Sequence, residues 1–322
     1  MNPYSFKVKS LRGVSIPSTK IDSLGLEGDR RLMLVQPHSN SNIATSSTTY
    51  THRFVTQRQC AILATIRATE PINSIIELSS HIVPNSRVSI DVSENTLRHK
   101  YKIRYRAGIW DDVVDVVDVG DEAAAFIISV IKRGDESSYE YFQDLRLVSI
   151  IPHVTDRKAD ERYVPNAALT FSGHLPQVAL TDGFPILIAA EESLNELNKR
   201  LNAKGKINLP MSRFRPNIVV RGLPHAFDED TWKAIQIGGP DGPIFHIVKG
   251  CPRCKQSATD QLTGERDSEP LETLAEFRVL GKNAEDVYFA QNVVIQPGSE
   301  SKQINVGDAI TVLSSGSPVW NS

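Results

Sequence analysis

Two of the three cysteines, Cys251 and Cys254, stand in a single C-x-x-C, Cys251-Pro252-Arg253-Cys254, with Lys249, Arg253 and Lys255 around them. The thiolate is the nucleophilic and metal-binding form of cysteine, and neighbouring cations favour it. A structural zinc site takes about four ligands, and neither Cys60 nor the scattered histidines supply a second pair. A thioredoxin-like redox pair sits just after a strand and at a helix start, whereas Lys255-Gln256-Ser257-Ala258-Thr259 carries no amphipathic pattern. From spacing alone, two inert cysteines are the better reading.

A second string, Arg213-Phe214-Arg215-Pro216-Asn217, places two arginines beside a proline that fixes the local backbone. Such a fork suits an anion such as phosphate, and equally suits two surface salt bridges, which on these residues alone is the default. Lys9-Ser10-Leu11-Arg12-Gly13 and Gly28-Asp29-Arg30-Arg31 add cations and glycines where backbone donors could face an anion. Thr181-Asp182-Gly183-Phe184-Pro185 has turn chemistry between two strands. His174 is read as a surface histidine, since no serine or cysteine nucleophile motif accompanies it. Asp111, Asp112, Asp115 and Asp118 alternate with valines before a helix, the pattern of a strand edge and an N-cap rather than a cation site.

These groups need elements to hold them. The first part of the chain reads as short strands at 5–8, 31–35, 53–57, 61–66 and 88–92. A polar run with Ser39, Asn40, Ser41 and Asn42 reads as a mobile loop joining two of them. A helix is expected from about 121, with Ala125, Ile128 and Ile131 at helical spacing, stopping near Gly134. The polar stretch 133–140 marks a boundary, giving domains at 1–135 and 136–322. In the second, strands are expected at 145–151, 177–181, 185–188, 217–220, 232–237, 244–248 and 309–313. A helix over 191–202 should present Leu194, Leu197 and Leu201 on one face.

Composition narrows the class. The 322 residues can bury real cores without staples. With 36 basic against 38 acidic residues, the net charge of -2 creates no global field for nucleic acid or anionic membranes. The longest nearly apolar stretch, 123–131, falls far short of the roughly 20 residues that span a bilayer. No signal or transit peptide is evident, and three cysteines suit a reducing compartment better than a disulfide framework.

Taken in order, these strings resemble the MOSC family, most closely its two-domain members of the amidoxime-reducing type. Val8-Lys9-Ser10 with Arg12-Gly13, Gly25-Leu26, Asp29-Arg30 and Phe54-Val55-Thr56-Gln57-Arg58-Gln59 are similar to that family's N-terminal β-barrel signature. Asp182-Gly183-Phe184-Pro185, Phe214-Arg215-Pro216-Asn217, Cys251 to Cys254, Asp260, Thr263-Gly264 and the run from Glu269 to Leu274 continue the likeness. The implied fold is α+β and β-rich: an N-terminal MOSC-type β-barrel domain followed by a MOSC β-barrel domain with peripheral helices. The implied cofactor is molybdenum-molybdopterin, with the metal held by one protein thiolate, Cys254, which is then also the catalytic position; Cys251 is supporting. By motif position, Lys9, Ser10, Arg30, Asp182, Gly183, Phe184, Arg215, Asn217 and Arg253 would hold the pterin and its phosphate. Gly183 and Phe184 stand where some relatives carry hydroxyl residues, so only their backbone contacts carry over. Cys60 stands where many relatives have proline.

The resemblance implies an oxidoreductase that reduces N-hydroxylated compounds, such as amidoximes, hydroxamic acids and N-hydroxylated bases, to the amine-type product and water. Electrons would come from separate proteins, a b-type cytochrome or a ferredoxin with a flavin reductase, because the chain has neither a cysteine cluster for iron–sulfur nor a G-x-G-x-x-G fingerprint. The alternative is a protein that binds or carries the cofactor without turnover. A sulfur-transfer role ranks last, since the pyridoxal-phosphate domain of the sulfurases has no room here. The expected location is cytoplasmic, with no membrane anchor seen and mitochondrial association left open.

Overall fold

The structure is a computed structural model and describes residues 1–38, 50–151 and 155–321. Among these, five strands pair in the order Arg104–Ile109, Asp112–Asp118, Arg146–Ser149, Leu32–Pro37 and His52–Val55, and close into a barrel. Closure runs through the parallel pairing of Ala107 with His52. An eight-stranded sheet follows the order Ile310–Ser315, Trp232–Ile237, Ile244–Pro252, Tyr288–Ile295, Ile186–Ala190, Ile218–Val220, Asn2–Ser5 and Val14–Ser15. The architecture is β-rich α+β, as expected. Each sheet borrows a strand across the middle of the chain: Asn2–Ser5 pairs with Ile218–Val220, and Arg146–Ser149 pairs with Leu32–Pro37.

Side chains alternate across a strand, and Leu32–Pro37 shows what that alternation buries. Met33 and Val35 point into the barrel with Phe54, Ile109, Val116 and Val148. Leu32 and Leu34 point outward into a second core with the helix Asp121–Gly134 and the strands Ile75–Ser80 and Arg87–Asp91. All four are at most 3% exposed, which explains an unbroken apolar run where a half-buried strand would alternate. The helix lies where expected, but its buried face is Ala123, Phe126, Ile127, Val130 and Ile131, while Ala125 faces solvent. The bulky Phe126 and Ile127 set the stripe, rotating it from the 125/128/131 reading. The helix Glu191–Ala203 buries Leu197 and Leu201 as expected and leaves Leu194 partly covered.

Other elements differ from the sequence reading. Residues 61–65 form a 3₁₀ turn rather than a strand, leading into the strand Ile66–Ala68. The first strand is Asn2–Ser5. After Ser5 the chain leaves the sheet, because the Phe6 N–H donates to Asp29 Oδ1 (2.6 Å) and the Lys9 N–H to the Leu32 carbonyl (2.7 Å). Residues 177–181 make one bridge and no strand; their carbonyls are taken by a buried arginine described below. Tyr288–Ile295, a central strand, carries Gln291 and Asn292 in its middle, which hides its apolar pattern. The polar run Ser39 to Thr49 lies outside the described residues. Among the described residues no helix is long and apolar enough to cross a membrane.

Candidate functional site

The cysteine pair sits where the strand Ile244–Pro252 leaves its antiparallel partner Tyr288–Ile295. Register slips at Ile247/Lys249 and Gly250/Pro252 break the ladder, and bulges of this kind re-aim side chains. Gly250 is required by close approach, since a Cβ there would lie 2.3 Å from the Trp320 ring. Beyond it the loop is fixed by the Arg253 N–H to the Val287 carbonyl (2.8 Å) and by Ser257, whose N–H and Oγ both donate to the Cys254 carbonyl (2.9 Å each).

Both thiols are half-buried and each faces an arginine. Arg253 Nη1 donates to Cys251 Sγ at 3.1 Å, and Arg58 Nε donates to Cys254 Sγ at 3.2 Å. The flanking lysines named from the sequence do other work. Lys249 Nζ lies 4.4 Å from the Tyr163 ring centroid and bonds Asn321, and Lys255 is exposed.

Facing the cysteines is a cradle of cations. Arg30 Nη1 bonds Asp29 Oδ2 (2.6 Å) and Asn217 Oδ1 (2.9 Å), and its Nη2 reaches the Arg215 carbonyl (3.3 Å). Arg30 and Arg215 both lie against one ring, Phe6, at 4.6 and 4.4 Å from its centroid. Gly13 admits that ring: a Cβ at residue 13 would stand 2.2 Å from it. Arg215 is 6% exposed, and burial together with repulsion from Arg30 pushes its guanidinium down to about 9, still charged at neutral pH. Ser10, Arg30 and Arg215 all have φ between 48° and 67°, a strained region for such residues that concentrates at functional sites.

Asp182 is the hub of the third wall. Its Oδ1 accepts from Lys9 Nζ (2.5 Å) and Trp110 Nε1 (3.2 Å), and its Oδ2 from Arg58 Nη2 (3.1 Å). The side chain is half exposed, and its partial withdrawal from water works against ionisation, yet the charges of Lys9 and Arg58 hold the carboxyl well below the usual carboxylate range. Lys9 is 5% exposed, and burial pushes its ammonium down to about 8 despite Asp182. Behind this wall Arg157 ties the irregular segment: Nη1 donates to the carbonyls of Ala179 (2.6 Å) and Thr181 (2.8 Å), and Nη2 to that of Asp182 (3.0 Å). Space beyond Gly183 is open, while the Phe184 ring packs edge-on against Tyr163 at 6.4 Å.

All ten residues read as site residues, Lys9, Ser10, Arg30, Asp182, Gly183, Phe184, Arg215, Asn217, Arg253 and Cys254, line one cleft. Sequence reasoning missed Arg58, Thr181, Asn292 and Gln256 in that lining, and Trp110 and Arg157 just behind it. Arg58 and Thr181 gave a signal, as parts of the Phe54-to-Gln59 and Thr181-to-Pro185 strings. Gln57 explains another part of that string: it exchanges amide hydrogen bonds with Gln261 (3.0 and 2.9 Å), and Gln261 Oε1 in turn accepts from Arg215 Nη1 (2.9 Å). His174 lies in a different cleft, with Lys158 and Glu300. Asp112 and Asp118 are taken by Arg157 (2.8 Å) and Arg146 (2.6 Å). Cys60 is fully buried, and burial pushes its thiol up to about 12.

Among the described residues, three buried polar atoms of the cleft have no partner: Arg215 Nη2, Arg253 Nε and Thr181 Oγ1. Unsatisfied buried donors are costly, and here they converge beside a thiolate-capable sulfur. Such a wall suits an anionic, hydrogen-bonding ligand attached to a soft metal.

Two family models match the chain, the MOSC N-terminal beta barrel domain over residues 2–134 and the MOSC domain over 176–311. Between them they take in most of the sequence, and the chain belongs to the MOSC-domain family. Among its relatives, the mitochondrial amidoxime-reducing component 1 of Homo sapiens is 28% identical over 96% of this chain and 81% of its own length. Mitochondrial amidoxime reducing component 2 of Bos taurus is 36% identical over 53% of this chain, and the match spans 44% of that relative. A molybdenum cofactor sulfurase of Aspergillus terreus is 33% identical over 42% of this chain and 17% of its own length.

Proposed function

We propose that this chain is a molybdenum-cofactor-dependent oxidoreductase that reduces N-hydroxylated compounds, taking electrons from a separate donor protein. The observation that carries the proposal is the convergence of Cys254 with buried, partnerless donors on Arg215, Arg253 and Thr181 in one cleft. In this reading Cys254 Sγ is the protein's metal ligand, and Arg30, Arg215, Arg253 and Lys9 neutralise the pterin's phosphate. Asn217 and Asp182 offer amide and carboxylate groups to ring N–H and carbonyl edges, and Gly183 and Phe184 offer backbone groups. When bound, the molybdenum cofactor supplies the two-electron chemistry by which oxygen leaves an N–O bond. The chain's own work is orientation: the strained φ of Ser10, Arg30 and Arg215 and the Arg157 ties set the cradle before any ligand arrives, so little ordering is spent on binding. The name amidoxime reducing component supports the reductase reading, and the name molybdenum cofactor sulfurase supports the cofactor alone.

The test is chemical. Cofactor-loaded protein reduced with dithionite and given benzamidoxime should release benzamidine over many turnovers. Loaded protein that releases none is a cofactor carrier, and the reductase proposal fails.

A further inference from the structure

One side chain outside the residues read as cofactor contacts is held against the sulfur of Cys254. Arg58 Nε donates to Cys254 Sγ at 3.2 Å. Its Nη2 donates to Asp182 Oδ2 at 3.1 Å, and its guanidinium lies 4.6 Å from the Trp110 ring centroid. The Arg58 side chain is only 19% exposed, while its partners Asp182 and Trp110 are each about half exposed. Asp182 and Trp110 are themselves joined, Nε1 to Oδ1 at 3.2 Å, which makes the clamp a closed triangle. Trp110 sits at the tip of the turn between Arg104–Ile109 and Asp112–Asp118 with φ of 55°, and half of it is exposed. That conformation is an outlier for a bulky residue, held here by Phe54 edge-on at 5.2 Å and by the bond to Asp182.

The backbone of Arg58 is equally fixed. Its N–H donates to Thr56 Oγ1 (3.1 Å), Thr56 Oγ1 donates to Gln59 Oε1 (2.6 Å), and Arg266 Nη2 bonds the preceding Gln57 carbonyl.

We propose that Arg58 is the positioning residue of the metal's sulfur ligand, its Nε–H fixing the direction of the Cys254 Sγ lone pairs and drawing electron density from that sulfur. The inference rests on the reading of Cys254 as the ligand. Hydrogen bonds to ligating sulfur raise a metal's reduction potential, and groups that orient a ligand tune the metal. An arginine fork suits the role because three fixed directions serve sulfur, carboxylate and ring at once, which a lysine ammonium cannot reproduce.

Three proteins decide it: wild type, Arg58→Met, which keeps a similar stem and loses the donor, and Arg58→Lys, which keeps the charge and loses the fork. Each is loaded during co-expression with cofactor biosynthesis, its molybdenum measured per chain, and the Mo(V) electron paramagnetic resonance spectrum and metal midpoint potential recorded. Expected are molybdenum contents within about twofold of wild type, a changed Mo(V) spectrum and a lower midpoint potential in both variants, the shift larger in Arg58→Met. Loaded variants with wild-type spectrum and potential overturn the proposal and leave Arg58 a structural clamp. If Arg58→Met does not fold, Arg58→Lys alone decides by the same two readouts. A wild type that takes up no molybdenum overturns the ligand reading itself and this inference with it, a result distinct from loaded but unchanged variants.

Discussion

Lys9→Met separates what the cradle costs from what it does. Lys9 is 5% exposed, and its ammonium titrates at about 8 in the folded chain against an ordinary 10.5. A folded value below the unfolded one means that protonation opposes folding: the cost is fully present below about pH 8 and is relieved as pH rises toward 10.5. Each pH unit in that window is worth about 1.4 kcal/mol, so wild type should gain about 3 kcal/mol relative to Lys9→Met between pH 7.5 and 10.5. Asp182 keeps Arg58 and Trp110 as partners in the variant (3.1 and 3.2 Å), so its carboxylate is not orphaned. Urea denaturation of both proteins at half-unit pH steps gives the difference directly, and groups common to both cancel. A difference that is flat across the window, or that falls with pH, refutes the claim that the cleft holds its cation at a cost.

Other consequences follow from single contacts. Gly13→Ala drives a methyl into the Phe6 ring, 2.2 Å away, and should lower stability by about 1–3 kcal/mol with a matching fall in the denaturation midpoint. Arg157→Met leaves the carbonyls of Ala179, Thr181 and Asp182 without their donor; a loss of at least about 2 kcal/mol and faster amide hydrogen exchange across 179–183 are expected. Native protein treated with iodoacetamide at pH 9 should be alkylated at Cys251 and Cys254 and spared at Cys60, whose thiol is pushed up to about 12 and so is ionised to only about one part in a thousand; mass spectrometry of the peptides reads this out.

What the sequence exposes and what it hides follow from the range of the interactions. The helix Asp121–Gly134 and the strand Trp232–Ile237 are legible because their signals are local. Tyr288–Ile295 is not, because Gln291 and Asn292 are satisfied only in the fold, by Asp230 Oδ1 (2.6 Å) and the Gly250 carbonyl (3.4 Å). The segment 177–181 reads as a strand because its apolar residues are buried, yet its backbone partners are an arginine side chain and distant carbonyls rather than a ladder. In the cleft, the ordered strings point to residues drawn from the whole chain, and the structure brings them together. Arg58 escapes that reading because its partner sulfur is 196 residues away in sequence. Trp110 escapes it because nothing local tells a strained turn tip from an ordinary one.

The most direct test of the central claim is the molybdenum content per chain of wild type, Cys254→Ala and Cys251→Ala, co-expressed with cofactor biosynthesis and measured by elemental mass spectrometry. The account predicts near-stoichiometric metal in wild type and Cys251→Ala and its loss in Cys254→Ala alone. Equal metal in all three, or none in any while a control protein loads normally, would contradict it.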